Sequence, residues 1–258
     1  MVGSTLRTEV AIQDNAVTLI GDLTIPNGAT AIIVFAHSEG SSRHSSRNKY
    51  LAERLNRSGF ATLLIDLLTY EEDQEENEEK EDQPPMDEQS GMERLSTRLC
   101  CAVDWLSFNP DTEYLAIGLF GSGTGSAAAL ICAAKRRLKV AAIVARGGRP
   151  DLANEALAYV LCPTLFLVGG FDPQVMAMNE KALHLMQCHR EIEIIPGATH
   201  SFKEPGRLDL VASMSTWWFA RYCTTQFGPH REAGQTVDGI NPHSLEPVDR
   251  FDGSLRTH

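Results

Sequence analysis

The chain has 258 residues, 43% of them hydrophobic, which is room for one large α/β domain or two small ones and enough apolar material for a sizeable core. Its formal net charge of −11 is concentrated in residues 71–88, where eleven Asp and Glu face one Lys, so the remainder is close to neutral and offers no broad basic surface for nucleic acid. The first fifteen residues lack a basic start followed by an apolar run, and nowhere does an apolar stretch approach the roughly 18 residues of a membrane span, so neither a signal peptide nor a span is expected. The cysteines Cys100, Cys101, Cys132, Cys162, Cys188 and Cys223 stand in apolar or helical contexts without a C-x-x-C pair, which reads as free thiols in a reducing, cytoplasmic setting.

Taken in order, Arg7–Gln13 and Ala16–Thr24 alternate apolar and polar residues around Asp14-Asn15, a hairpin signal. Ala31–Ala36 is a continuous apolar run, as in a strand buried on both faces, and the polar loop 37–44 follows it. Asn48–Ser58 reads as an amphipathic helix closed by Gly59, and Phe60–Leu68 as the next strand. The acidic run and Pro84-Pro85 then predict a flexible surface insertion over 71–88, because like charges at that density repel and Pro-Pro breaks a helix. Its carboxylates lack the alternating spacing of a calcium loop, and no His/Cys/Asp cluster elsewhere has ligand spacing, so no metal and no cofactor are expected.

Glu93–Phe108 is helical in pattern, Tyr114–Phe120 a strand, Ser126–Lys135 a helix and Lys139–Ala145 a strand. Asn154–Tyr159 reads as helix, Cys162–Val168 as strand, Val175–Cys188 as helix, Glu191–Ile195 as strand and Leu208–Tyr222 as a last amphipathic helix. This alternation means a mostly parallel sheet, begun by an antiparallel hairpin and covered by helices on both faces. Residues 1–225 are expected to form that domain, and 226–258, rich in Gly, Pro, His and Asp without periodicity, a loosely packed tail.

The stretch Leu115–Leu130 passes from an apolar strand through small residues into an alanine-rich helix, the shape of a nucleophile elbow with the pattern G-x-S-x-G. Here the frame is Gly121-Ser122-Gly123-Thr124-Gly125, so the nucleophile position holds Gly123 and the serine lies one residue early. Centred on Ser122, the flanking positions would be Phe120 and Thr124 in place of two glycines, which makes Ser122 the poorer alternative nucleophile. Five loops fall at carboxyl ends of strands, where sites form in such sheets: 37–44, 121–125, 146–151, 169–172 and 196–200. Asp172 and then His200 follow the elbow, the chain order of the Ser-Asp-His triad in α/β-hydrolases, in which an oriented imidazole takes a proton from the nucleophile. The plainer alternatives are a helix-capping Asp172 ahead of Pro173 and a solvated His200. Arg43 and Arg146 are candidates for an anionic substrate group, and Arg149 is expected to pair with Asp151.

Together, Gly40-Ser41-Ser42-Arg43-His44-Ser45, the elbow, Arg146-Gly147-Gly148-Arg149-Pro150-Asp151-Leu152-Ala153, Val168-Gly169-Gly170-Phe171-Asp172 and Ala198-Thr199-His200 resemble the dienelactone hydrolase-like α/β-hydrolases, a family whose members are sometimes fused to a phosphoribosyltransferase. The resemblance runs from about residue 5 to 222 and implies an α/β-hydrolase fold and cleavage of a small-molecule ester or lactone, with Asp172 and His200 as acid and base. It also implies oxyanion contacts from Thr124, after the tip, and from Ser38. Two departures stand at the site. The family elbow usually reads Gly-Ala-Ser-Thr-Gly, and its oxyanion loop usually opens His-Gly-Ser-Gly where this chain has His37-Ser38-Glu39-Gly40. Glu39 brings a possible negative charge, or a substrate contact or base, to a place where developing negative charge should be stabilised. Two functions follow as expectations: a weakened hydrolase that uses water or Ser122, or a catalytically silent hydrolase fold kept as a binding or scaffold module. Neither involves nucleic acid or membrane, and the oligomeric state is left open.

Overall fold

The computed structural model describes residues 4–15, 17–37, 42–77 and 88–223. Within them an eight-stranded sheet is formed by β1 (Leu6–Asp14), β2 (Val17–Ile25), β3 (Ala31–Ala36), β4 (Ala61–Ile65), β5 (Ala116–Ser122), β6 (Val140–Arg146), β7 (Thr164–Gly169) and β8 (Arg190–Ile195), in the order β1-β2-β4-β3-β5-β6-β7-β8. The hairpin β1–β2 and the pair β2–β4 are antiparallel, and every other pairing is parallel. The helices are α1 (Ser46–Arg57), α2 (Tyr70–Asn77), α3 (Glu88–Phe108), α4 (Thr124–Lys135), α5 (Pro173–Leu185) and α6 (Arg207–Tyr222), with a 3₁₀ segment at Pro150–Tyr159.

Alternation along the strands builds two cores. In β3, Ile32, Val34 and Ala36 point to the face covered by α3 and α4, where Leu95, Leu99, Val103 and Leu130 are buried. Ala31, Ile33 and Phe35 point to the other face, covered by Leu51 and Leu55 of α1 and by Val211, Trp218 and Phe219 of α6. This is the period of two of a strand buried on both sides, which is why such strands read as unbroken apolar runs. Among the described residues no helix is long and apolar enough to cross a membrane. A groove of about 620 Å³ lined by Tyr114, Leu138, Lys139, Leu161 and Tyr222 lies at the amino ends of β5 and β6, opposite the elbow.

The start of the acidic run departs from the expected insertion. Residues 70–77 are helical, because Glu72 finds a partner far along the chain: Arg98 of α3, 5% exposed on its side chain, grips both carboxylate oxygens at 2.5 and 2.7 Å and donates to the Leu67 carbonyl at 2.8 Å. Glu72 also caps its own helix by accepting from the Thr69 N–H at 2.8 Å, while Thr69 Oγ1 accepts from the Glu72 N–H at 3.2 Å. Residues 78–87 lie outside the described residues, as do residues 224–258, which include the expected tail of 226–258.

The hydrogen bonds from Arg98 outweigh burial and hold the Glu72 carboxyl at about 2. A carboxyl with a depressed folded value stabilises the fold at neutral pH and loses that contribution as pH falls from its ordinary value toward about 2. Urea unfolding across that range should therefore show a steeper acid loss for the parent than for Glu72→Gln, and Arg98→Ala should destabilise by about 3 kcal/mol at pH 7 by stranding a part-buried carboxylate.

Candidate active site

The elbow is set by close approach. β5 runs through Gly121 and Ser122, turns at Gly123 and becomes α4 at Thr124. A Cβ at Gly121 would lie 2.5 Å from the Ser126 Cα, and one at Gly125 would lie 2.2 Å from the Ala36 carbonyl oxygen, so neither position admits a side chain. Gly123 itself has φ 55° and ψ −129°, a backbone state that disfavours L side chains. Its carbonyl accepts from the Ser126 Oγ at 2.7 Å, the Arg149 N–H at 3.1 Å and the Ser126 N–H at 3.2 Å, which fixes the peptide at the turn. The tip of the turn is therefore residue 123. Ser122 is buried within β5 and pairs in register with Arg146 of β6.

Asp172 and His200 come together because their strands are neighbours and their loops are laced: the Gly170 N–H donates to the Ile195 carbonyl and the Phe171 N–H to the Ala198 carbonyl, both at 2.9 Å. His200 Nδ1 sits 2.8 Å from Asp172 Oδ2. The other oxygen of Asp172 accepts from the Val175 N–H at 3.4 Å at the start of α5, with Pro173 at its first position. The helix-capping and imidazole-orienting roles, alternatives on sequence, thus fall on one carboxylate. With Nδ1 engaged, Nε2 is left for proton transfer, and the His200 side chain is 60% exposed. The histidine loop is held from below by Phe202, buried with φ 52°, and from the side by Thr199, whose hydroxyl and N–H donate to Glu204 at 2.6 and 3.2 Å. A Cβ on Gly147, the residue after β6, would be 3.7 Å from His200 Cε1, so the imidazole lies against the turn that leaves the strand beside the elbow.

Thr124 opens α4, so its N–H has no partner within the helix and is available to an oxyanion. Its Oγ1 is buried without a hydrogen-bond partner. Ser38 and Glu39 fall outside the described residues. His37, just before them, is buried with Nε2 3.3 Å from Asp66 Oδ1. Burial pushes the Asp66 carboxyl up, but hydrogen bonds from His37 and from the Arg43 N–H, at 2.6 Å, hold it below its ordinary value. The Arg43 guanidinium is turned to carboxylates, with Nη2 3.0 Å from Glu9 and Nε 3.7 Å from both Asp22 and Asp66. Arg149 forms the fork with Asp151, at 3.0 and 2.8 Å.

Arg146 differs from the other arginines. It is 8% exposed, its guanidinium carbon lies 6.0 Å from the Phe120 ring centre and 5.9 Å from that of Phe202, and its Nη1 has no hydrogen-bond partner. Burial, and secondarily the charge of Arg47, bring its pKa down to about 10, so it remains a cation at neutral pH. Ser126, Asp66, Phe202 and Arg47 were not singled out by sequence. Only Ser126 left a signal, the small residue three positions after the tip.

Placing a side chain on Gly123 should strain the turn. Gly123→Ala and Gly123→Ser are both expected to lower the unfolding free energy by about 1–3 kcal/mol in chemical denaturation, with the fold retained.

The model of the dienelactone hydrolase family matches residues 20–221. Two curated relatives from Mycobacterium tuberculosis, strains CDC 1551 / Oshkosh and ATCC 25618 / H37Rv, are provisionally named phosphoribosyl transferases and are 44% identical over 211 residues, 82% of this chain and 45% of theirs. The chain thus spans about half the length of the curated relatives it matches. The crystal structure of a dienelactone hydrolase from Anabaena variabilis superposes with a TM-score of 0.79 at 48% identity, covering 85% of this chain and 99% of that one. Est1E from Butyrivibrio proteoclasticus shares the fold, with a TM-score of 0.66 at 15% identity over 83% of this chain and 98% of its own. The chain belongs to the dienelactone hydrolase family of the α/β-hydrolase fold.

Proposed function

We propose that this protein is an ester- or lactone-hydrolysing site from which the nucleophilic side chain is missing, so that hydrolysis proceeds slowly through water. The observation that carries the reading is the backbone of Gly123: the tip of an elbow, beside an assembled His200–Asp172 pair, with no side chain to attack. In the proposed reaction His200 Nε2 takes a proton from a water whose oxygen adds to the acyl carbon. The oxyanion is met by the Thr124 N–H, and collapse of the tetrahedral intermediate expels the alkoxide, which takes the proton back from the imidazolium. Asp172 keeps the imidazole oriented throughout. Ser38 and Glu39 are the further candidates for oxyanion and substrate contacts. Arg43, already facing three carboxylates, is assigned to hold its loop against the sheet instead of binding substrate. The six free cysteines support a reducing, cytoplasmic setting.

Losing a serine nucleophile from a comparable triad costs on the order of 10⁶ in kcat and leaves about 10³–10⁴ over water. Parental activity on short-chain p-nitrophenyl esters is therefore expected to be weak, and Gly123→Ser should raise it by at least about 10². A fluorophosphonate probe should label the variant and leave the parent unlabelled, and His200→Ala in the variant should abolish the gain. Labelling of the parent that disappears in Ser122→Ala would show that the elbow is framed on residue 122. A well-folded Gly123→Ser protein with no gain would favour the catalytically silent binding module.

A further inference from the structure

The end of the sheet opposite the elbow carries large apolar side chains that the core does not take up. Tyr114, Leu138 and Leu161 stand just before β5, β6 and β7, which are neighbours in the sheet; all three are more than half exposed, and Leu138 is 97% exposed. All three line the groove of about 620 Å³ at those amino ends. Two further aromatics, also more than half exposed, continue the patch. The Lys139 ammonium lies 5.2 Å from the ring centre of Phe108, and the Arg137 guanidinium carbon lies 5.5 Å from that of Tyr159. Arg137 Nε also donates to the Tyr159 carbonyl at 3.1 Å. Single exposed apolar residues need no explanation, but five gathered around one groove mark an interaction surface.

The charges at the groove say what fits it. Its lining holds three charged side chains, Glu113, Arg137 and Lys139. Lys139 is engaged by Asp104 at 2.7 Å, a carboxylate that Arg136 also grips at 2.7 Å. Glu113 and Arg137 make no ion pair among the described residues, so the groove presents one carboxylate beside Tyr114 and one guanidinium beside Leu138. A surface that carries each sign once is complementary to a copy of itself turned about a two-fold axis, because each contact then occurs twice. The shape has the same property. Leu138 sits on the tight turn in which the Lys139 N–H donates to the Arg136 carbonyl at 2.9 Å, so it projects from the groove's own wall. The size is adequate as well: at roughly 150–250 Å² for a whole aromatic side chain, the three exposed aromatics offer about 300–450 Å². The two leucines and the groove walls bring the patch towards the share of about 800 Å² that one partner gives to a standard interface.

We propose that this end of the molecule is a two-fold interface between two copies of the chain, in which Leu138 of each copy seats in the groove of the other and Glu113 pairs with Arg137 across the axis. The interface uses no residue of the elbow and neither His200 nor Asp172, so it stands independently of the hydrolase reading.

Sedimentation equilibrium of the full chain at neutral pH should show a reversible monomer–dimer equilibrium with a dissociation constant on the order of micromolar. Leu138→Asp should weaken it at least about tenfold with the circular dichroism spectrum and Tm unchanged, since a side chain 97% exposed adds little to the core of the single copy. Glu113→Arg and Arg137→Glu should each weaken self-association, because each sets like charges against one another across the axis. An equimolar mixture of those two variants should recover a dimer containing one copy of each, a result that loss of folding cannot imitate. A chain still monomeric at about 100 μM, a dimer that Leu138→Asp leaves intact, or a mixture no more associated than either charge variant alone overturns the interface. Pairing through another surface, such as the outer edge of β8, would give the second of these outcomes.

Discussion

The structure depends on the contact of three backbones at one point. β3, β5 and the start of α4 meet so tightly that Gly121 lies against the Ser126 backbone and Gly125 against the Ala36 carbonyl. Nothing larger than hydrogen fits at either place, and the strand can reverse into the helix only through a tip with positive φ between them. The site is built outward from this crossing. The Gly123 peptide anchors the 146–151 turn through the Arg149 N–H, and that turn lies under His200.

Much of this was legible because the physics is local. Strands buried on both faces appear as apolar runs, and β3 through β7 fall where those runs stand, with ends displaced by a few residues. The elbow frame followed from the two flanking glycines, whose absence of a side chain is a steric necessity that survives any change at the tip. Asp172 and His200 were found from chain order at strand ends, since adjacent parallel strands deliver their following loops to the same edge.

What escaped the sequence reading was set at a distance. Like-charge repulsion and Pro84-Pro85 predicted a flexible insertion over 71–88, whereas residues 70–77 are helical, with Arg98, 26 residues beyond Glu72, making a two-pronged hydrogen bond to it. The burial of Arg146 was equally hidden. An arginine ending a strand reads as solvated, and only the packing of Phe120 and Phe202 around it reveals a cation withdrawn from water. Phe202 adopts a left-handed backbone that no propensity would assign to a bulky aromatic, so the grip on the histidine loop was invisible as well.

Asp172 divides its oxygens between the first turn of α5 and the imidazole of His200. Folding alone is then sufficient reason to keep the acid, whatever becomes of the chemistry. A helix that must begin at residue 172 preserves the tether for the base, just as crowding at residues 121 and 125 preserves the shape of the turn. On the proposed reading, the apparatus around the empty tip is maintained by demands that are blind to turnover. A lineage carrying such a scaffold would be one substitution from recovering a nucleophile, and a search that recognises the surrounding motif would report an enzyme whether or not one is there.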